Sequence, residues 1–164
     1  MRFRRKPRLD PAETARQLRE HAFSVTAAEL GLRPSPGGSR VWAVLMESGY
    51  PEAVASLVSL ADDTTSLYFS NGGGVIGGGQ HASVRGAAQK FLETAESHIE
   101  KFAPAAEHPL PRRGRVRFYV RTFDGLLTAE ADERELEQPH ALSPIFHAGH
   151  AVIAELQRLP AATR

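Results

Sequence analysis

Apolar positions along this chain recur with two different periods, and the switches between them divide it into elements. Val84, Ala87, Ala88, Phe91, Ala95, Ile99 and Phe102 fall at i, i+3, i+4, i+7 spacing, which predicts a long amphipathic helix from Gln80 to Phe102. Ile145, Phe146, Gly149, Val152, Ile153 and Leu156 repeat the pattern and predict a last helix from Pro144 to about Leu159. Leu18, Ala22 and Val25 give a first helix a modest apolar face, and Asp10-Pro11-Ala12-Glu13 supplies its start. Aspartate is a capping residue, proline needs no donor at the first helical position, and glutamate stands where a capping box wants it.

Other segments have the period of strands. Arg115–Phe123 alternates, with Val116, Phe118 and Val120 on one face and Arg115, Arg117, Tyr119 and Arg121 on the other. Asp124-Gly125 then reads as a two-residue hairpin turn, with Leu126–Ala131 as the returning strand. That register sets Arg117 opposite Asp132, Tyr119 opposite Glu130 and Arg121 opposite Thr128. Val41–Glu47 is a short apolar run, and Ala53–Ala61 and Thr65–Ser70 follow it after the turns at Ser48–Pro51 and Asp62-Asp63. Three strands joined by such turns form an antiparallel meander.

The expected fold is therefore α+β, in the order helix, three strands, long helix, two-strand hairpin, C-terminal helix, over residues 10–160. Residues 1–9 are expected to form a basic flexible tail. This element order resembles that of the bacterial type III secretion chaperones, and the resemblance covers most of the chain. It implies a homodimer that binds a partner chain, as a chaperone or adaptor does.

Composition removes several classes. With 164 residues, 41% hydrophobic and 24% charged, the chain can bury one sizeable core. It has no cysteine, which removes disulfides, thiolate chemistry and cysteine-ligated zinc. No run approaches about 20 apolar residues, so no membrane span is expected, and the expected compartment is the cytoplasm. Seventeen arginines against three lysines point to a GC-rich bacterial genome. The net charge of +1 conceals segregation: five basic residues and no acidic one in Met1–Arg8, five more in Arg112–Arg121, and eight carboxylates against three basic groups in Val41–Leu110. Segregated opposite charges suit internal pairing or self-association and disfavour nucleic acid as a partner.

Asn71–Gly79 (NGGGVIGGG) holds six of the 14 glycines and contains G-x-G-x-x-G from Gly72 to Gly77. A dinucleotide loop would need an acidic residue ending a strand about 20 positions on, and none is there; a Walker loop would need a following lysine. Two readings remain. The glycines serve close backbone packing, or Gly74, Gly77, Gly78, Gly79, Gln80 and His81 offer donors to a small ligand or anion at the start of the long helix. His147 and His150 share a helix face but have no third ligand at metal spacing, so no metal is assigned. Glu47, Asp62 and Asp63 are carboxylates beside turns, and G-x-S-x-G is absent. No catalytic residue and no cofactor is assigned. A protein-binding homodimer leads, and a ligand-binding domain using the glycine loop is the alternative.

Overall fold

The computed structural model describes residues 9–160 of the chain; Met1–Arg8, most of the expected basic tail, lies outside them. The elements are α1 (Pro11–Ser24), β1 (Val41–Gly49), β2 (Val54–Leu60), β3 (Thr65–Phe69), β4 (Gly74–Val75), α2 (Ala82–Ser97), β5 (Ala103–Pro104), β6 (Arg115–Thr122), β7 (Gly125–Asp132), α3 (Glu133–Leu136) and α4 (Ser143–Gln157). The strands form one antiparallel sheet in the order β4-β3-β2-β1-β6-β7-β5.

The α+β class holds, and the sheet has seven strands where the sequence predicted five. The two additional strands are two residues each, too short to show a period. The long helix stops at Ser97, and a separate 3₁₀ turn at Ile99–Lys101 carries the chain on. Apolar spacing continues through Ile99 and Phe102, which still pack on the core, so periodicity alone overran the helix end.

Both faces of the sheet are covered. On one, Val44, Met46, Leu57, Val116, Phe118 and Val120 meet Val84, Ala88, Phe91 and Ala95 of α2 and Ile145, Val152 and Leu156 of α4. On the other, Trp42, Ala43, Leu45, Val58 and Tyr119 lie under α1 and the segment after it. This explains why β1 reads as a continuous apolar run: a central strand covered on both faces has no solvent side to mark with polar residues. Its burial is complete from Val41 to Gly49.

The two helical layers are held differently. Gly149 lets α4 approach closely, since a Cβ there would lie 2.7 Å from the thioether of Met46. By contrast α1 buries fully only Ala15 and Ala22, and two methyl groups contribute little hydrophobic stabilisation, about 0.8 kcal/mol for each buried CH₂-sized group. A buried ion pair, half-buried Leu18 and Phe23, and bonds from Arg121 to the Ala22 and Val25 carbonyls supply the rest of its docking.

The β6–β7 hairpin is correct in existence and wrong in register. Thr122 pairs with Gly125, so Phe123-Asp124 is the loop, and Arg115 faces Asp132, Arg117 faces Glu130 and Tyr119 faces Thr128. The glycine at φ +141° serves as the first residue of β7 rather than inside the turn. The Thr122 hydroxyl accepts from the Asp124 N–H at 3.1 Å and donates to the Gly125 carbonyl at 3.0 Å, which closes the turn one residue early. The shift is two residues, so every side chain keeps its face.

Candidate functional site

A polar row crosses the sheet beneath α1. The register aligns Tyr68 of β3 with Ser56 of β2, Ser56 with Glu47 of β1, Glu47 with Arg117 of β6, and Arg117 with Glu130 of β7. Directly paired residues of antiparallel strands share a face, so five polar side chains line up across five strands. Neighbouring positions on the same face are apolar, among them Leu45, Val58 and Tyr119.

Glu47 is the centre of the row and is fully buried. Its Oε1 accepts from Arg19 Nε at 2.8 Å and from the Ser56 hydroxyl at 2.8 Å; its Oε2 accepts from Arg19 Nη2 at 2.9 Å. This bidentate fork is the strong form of the carboxylate–guanidinium pair. Burial works against the Arg19 charge, but the bond to Glu47 outweighs it and raises the guanidinium pKa. Arg19 Nη2 also donates to the His108 carbonyl at 2.6 Å. The His108 ring stacks on Phe23 at 3.9 Å, and Phe23 meets Tyr119 edge-on at 4.9 Å. The Tyr119 hydroxyl donates to the Pro109 carbonyl at 2.5 Å. Thus α1, the sheet and the 107–112 segment are tied at one place. Burial, then the Arg19 charge, hold the His108 pKa below its ordinary value.

On either side of this knot lies a depression. The first, of about 500 Å³, is lined by Asp10, Glu13, Arg16, Arg19 and Glu20 of α1 and its approach, by Ser56 and Tyr68 of the sheet, by Ser70 just past β3, and by Leu110. The Tyr68 hydroxyl is buried there and has no hydrogen-bond partner among the described residues. Burial, reinforced by the Glu47 charge, raises its pKa, so the phenol is neutral at physiological pH and can both donate and accept. Arg16 pairs with Glu13 at the rim. The second depression, of about 490 Å³, is lined by Pro109, Leu110, Arg112, Arg115, Arg117 and Glu130. Both Arg115 and Arg117 pair with Glu130, and Arg117 Nε is buried without a partner. Burial would raise the Glu130 pKa, but the two arginines lower it. Leu110, half exposed, is shared by the two linings.

The arginines on this face of β6 are therefore engaged: Arg115 and Arg117 pair with Glu130. Arg121 lies over the Trp42 ring at 4.3 Å and donates to the carbonyls of Ala22 and Val25, which anchors the C-terminal end of α1.

The glycine segment stands apart from the row. A Cβ on Gly79 would lie 1.6 Å from the Asp63 carbonyl oxygen, one on Gly74 2.1 Å from the Leu67 carbonyl oxygen, and one on Gly78 2.3 Å from the Leu156 side chain. Gly77 takes φ +76°. Close packing or backbone conformation thus accounts for glycine at each of the four positions. Gln80 is exposed and His81 half-buried ahead of α2, and Arg85 donates to the carbonyls of Gly79 and Gln80. Gly72 has a different role: a Cβ there would meet Pro11 at 2.4 Å, so the loop is the seat on which α1 begins.

His147 is exposed and His150 half-buried; no cluster of three metal-ligating side chains occurs among the described residues. Among those residues, no helix is long and apolar enough to cross a membrane. Comparison with protein-family models, with curated proteins and with solved structures gives no match for this chain.

Proposed function

We propose that this chain is a binding domain whose site is the depression between α1 and strands β2–β3, and that it takes a ligand bearing a cationic donor group. The observation that carries this reading is the Tyr68 hydroxyl. Leaving a buried hydroxyl without a partner costs about 1–3 kcal/mol, and a ligand acceptor or donor arriving in the cleft would relieve that cost. The charge around it favours a cation. Asp10, Glu13 and Glu20 face Arg16 alone, because Arg19 is already neutralised by Glu47. The volume falls within the range of small-ligand sites, about 300–1,000 Å³.

Agmatine, which carries a guanidinium and an amine, is a suitable first probe. It should raise the melting temperature in proportion to the logarithm of its concentration once above Kd. Tyr68→Phe should melt at or above the wild-type temperature yet lose most of that response, and Glu20→Gln should weaken it. No stabilisation of the wild type by millimolar agmatine or spermidine would refute the reading.

The other reading is a homodimeric protein-binding domain, which rests on the element order that resembles the type III secretion chaperones. A dimer mass in light scattering at micromolar concentration would support it, and a monomer mass would remove it. The two readings are compatible if the occupant of the cleft belongs to a partner chain. The glycine-loop residues Gly74, Gly77, Gly78, Gly79, Gln80 and His81 remain a second candidate contact region for an anion, testable by phosphate titration.

A further inference from the structure

The two depressions have opposite charge and meet at one side chain. Around Tyr68, the carboxylates of Asp10, Glu13 and Glu20 outnumber Arg16, which pairs with Glu13; around Arg117, three arginines face the single carboxylate Glu130. Leu110 lines both. From Tyr68 to Arg117 the row spans three strand spacings, β3 to β2 to β1 to β6. At about 4.8 Å each this is roughly 14 Å. A single amino acid cannot put a cation and an anion that far apart. An extended chain at about 3.3 Å per residue covers it in four residues or so.

We propose that the occupant is an extended peptide segment of a partner, with a basic side chain in the cleft beside Tyr68 and an acidic side chain about four residues away among Arg112, Arg115 and Arg117. The aliphatic middle of the segment crosses Leu110, an exposed apolar side chain between the two depressions. Arg117 Nε supplies a buried donor at the acidic end, and the Tyr68 hydroxyl oxygen supplies an acceptor at the basic end. Arg112 makes no side-chain ion pair among the described residues, so its charge is available to a carboxylate. This inference rests on reading the Tyr68 cleft as a ligand site.

The test uses the full chain and four fluorescent peptides with blocked ends. One carries arginine and, four positions on, glutamate; two replace either charge with glutamine; the fourth reverses their order. The dipolar peptide should bind tightest, each neutralised charge weakening it about three- to fivefold, as partly exposed charge contacts do. Its advantage should shrink as salt is raised. Arg112→Glu should erase the benefit of the glutamate while leaving that of the arginine, and Arg113→Glu, outside both linings, should leave the order of peptides unchanged. If the dipolar peptide binds no better than the arginine-only one, the extended occupant is refuted and the cation cleft stands. If the reversed peptide binds equally well, the two-ended site is also refuted. If neither agmatine nor any peptide binds, the cleft itself is wrong and the inference falls with it.

Discussion

The Arg19–Glu47 pair is the point at which the docking of α1 can be measured. Replacing Glu47 by leucine leaves the Arg19 guanidinium beneath the 107–112 segment with only the His108 carbonyl as acceptor. Replacing Arg19 by methionine leaves a fully buried carboxylate with one hydroxyl partner, Ser56. Breaking a buried pair from one side costs about 3–5 kcal/mol, because the remaining charge is desolvated without compensation. Domain stabilities are about 5–15 kcal/mol, so either single change removes a large share. For a chain of this size each kcal/mol shifts Tm by about 2–4 °C, which predicts a fall on the order of 10 °C. The double variant Arg19→Met/Glu47→Leu removes both charges together and should recover most of the loss, giving a coupling energy of several kcal/mol in urea denaturation. Since α1 is lightly packed, with Ala15 and Ala22 its buried residues, the damage should be local first. Hydrogen exchange of Pro11–Ser24 should accelerate in the single variants before exchange in β1 and β6 does. Single variants that lose less than about 1 kcal/mol would show that water reaches the pair and that α1 is held by something else.

Two further outcomes separate the structural account from its alternatives. Gly79→Ala places a Cβ against the Asp63 carbonyl and should cost about 1–3 kcal/mol or more, whereas Gly86→Ala, mid-helix with open space around it, should stabilise by about 0.5–1 kcal/mol; chemical denaturation of both variants checks the contrast. Stability should also fall in two steps on acidification. His108 and His150 have pKa values lowered mainly by burial, so their contribution is complete above the ordinary histidine value near 6.5 and is lost as pH falls through their folded values. Glu96 and Glu130 follow below about 4.5, because Arg40, and Arg115 with Arg117, more than offset the burial that would raise them. Glu133, raised by burial and by Glu137, works in the opposite direction and adds stability as pH falls towards about 4.5, ahead of the second step; melting curves from pH 8 to 3 check the order.

What the sequence disclosed and what it concealed follow from how local each signal is. The start of α1 at Asp10-Pro11 is readable because the residues responsible lie within one turn. Asp10 caps through its backbone, its carbonyl accepting from Thr14, and its side chain makes no cap bond. Strand β6 is readable because its alternation is internal to eight residues. The hairpin register differs by two from the one Asp124-Gly125 predicts because a Thr122 side chain, not the Asp-Gly dipeptide, closes the loop. Glu47 was visible only as a carboxylate near a turn, grouped with Asp62 and Asp63. In the fold these separate. Asp62 accepts from the Thr64 N–H and Asp63 takes φ +71° within the β2–β3 turn, while Glu47 is sealed in the sheet.

A single acidic residue ending an apolar run is a signal, but its meaning depends on register. Glu47 becomes a site only when Ser56, Tyr68 and Arg117 come level with it, and those pairings depend on three separate strand contacts. The same register determines which groups are left over. Glu47 consumes Arg19 and Ser56, so the Tyr68 hydroxyl on one side and Arg117 Nε on the other have no partner in the row. An apolar row of similar volume would hold α1 at least as well, since buried ion pairs seldom out-stabilise well-packed hydrophobic side chains. The polar row is therefore poorly explained by stability alone. It makes sense as a surface kept polar beneath a lightly packed helix, with a hydroxyl unspent at one end of a charged pair and an N–H at the other.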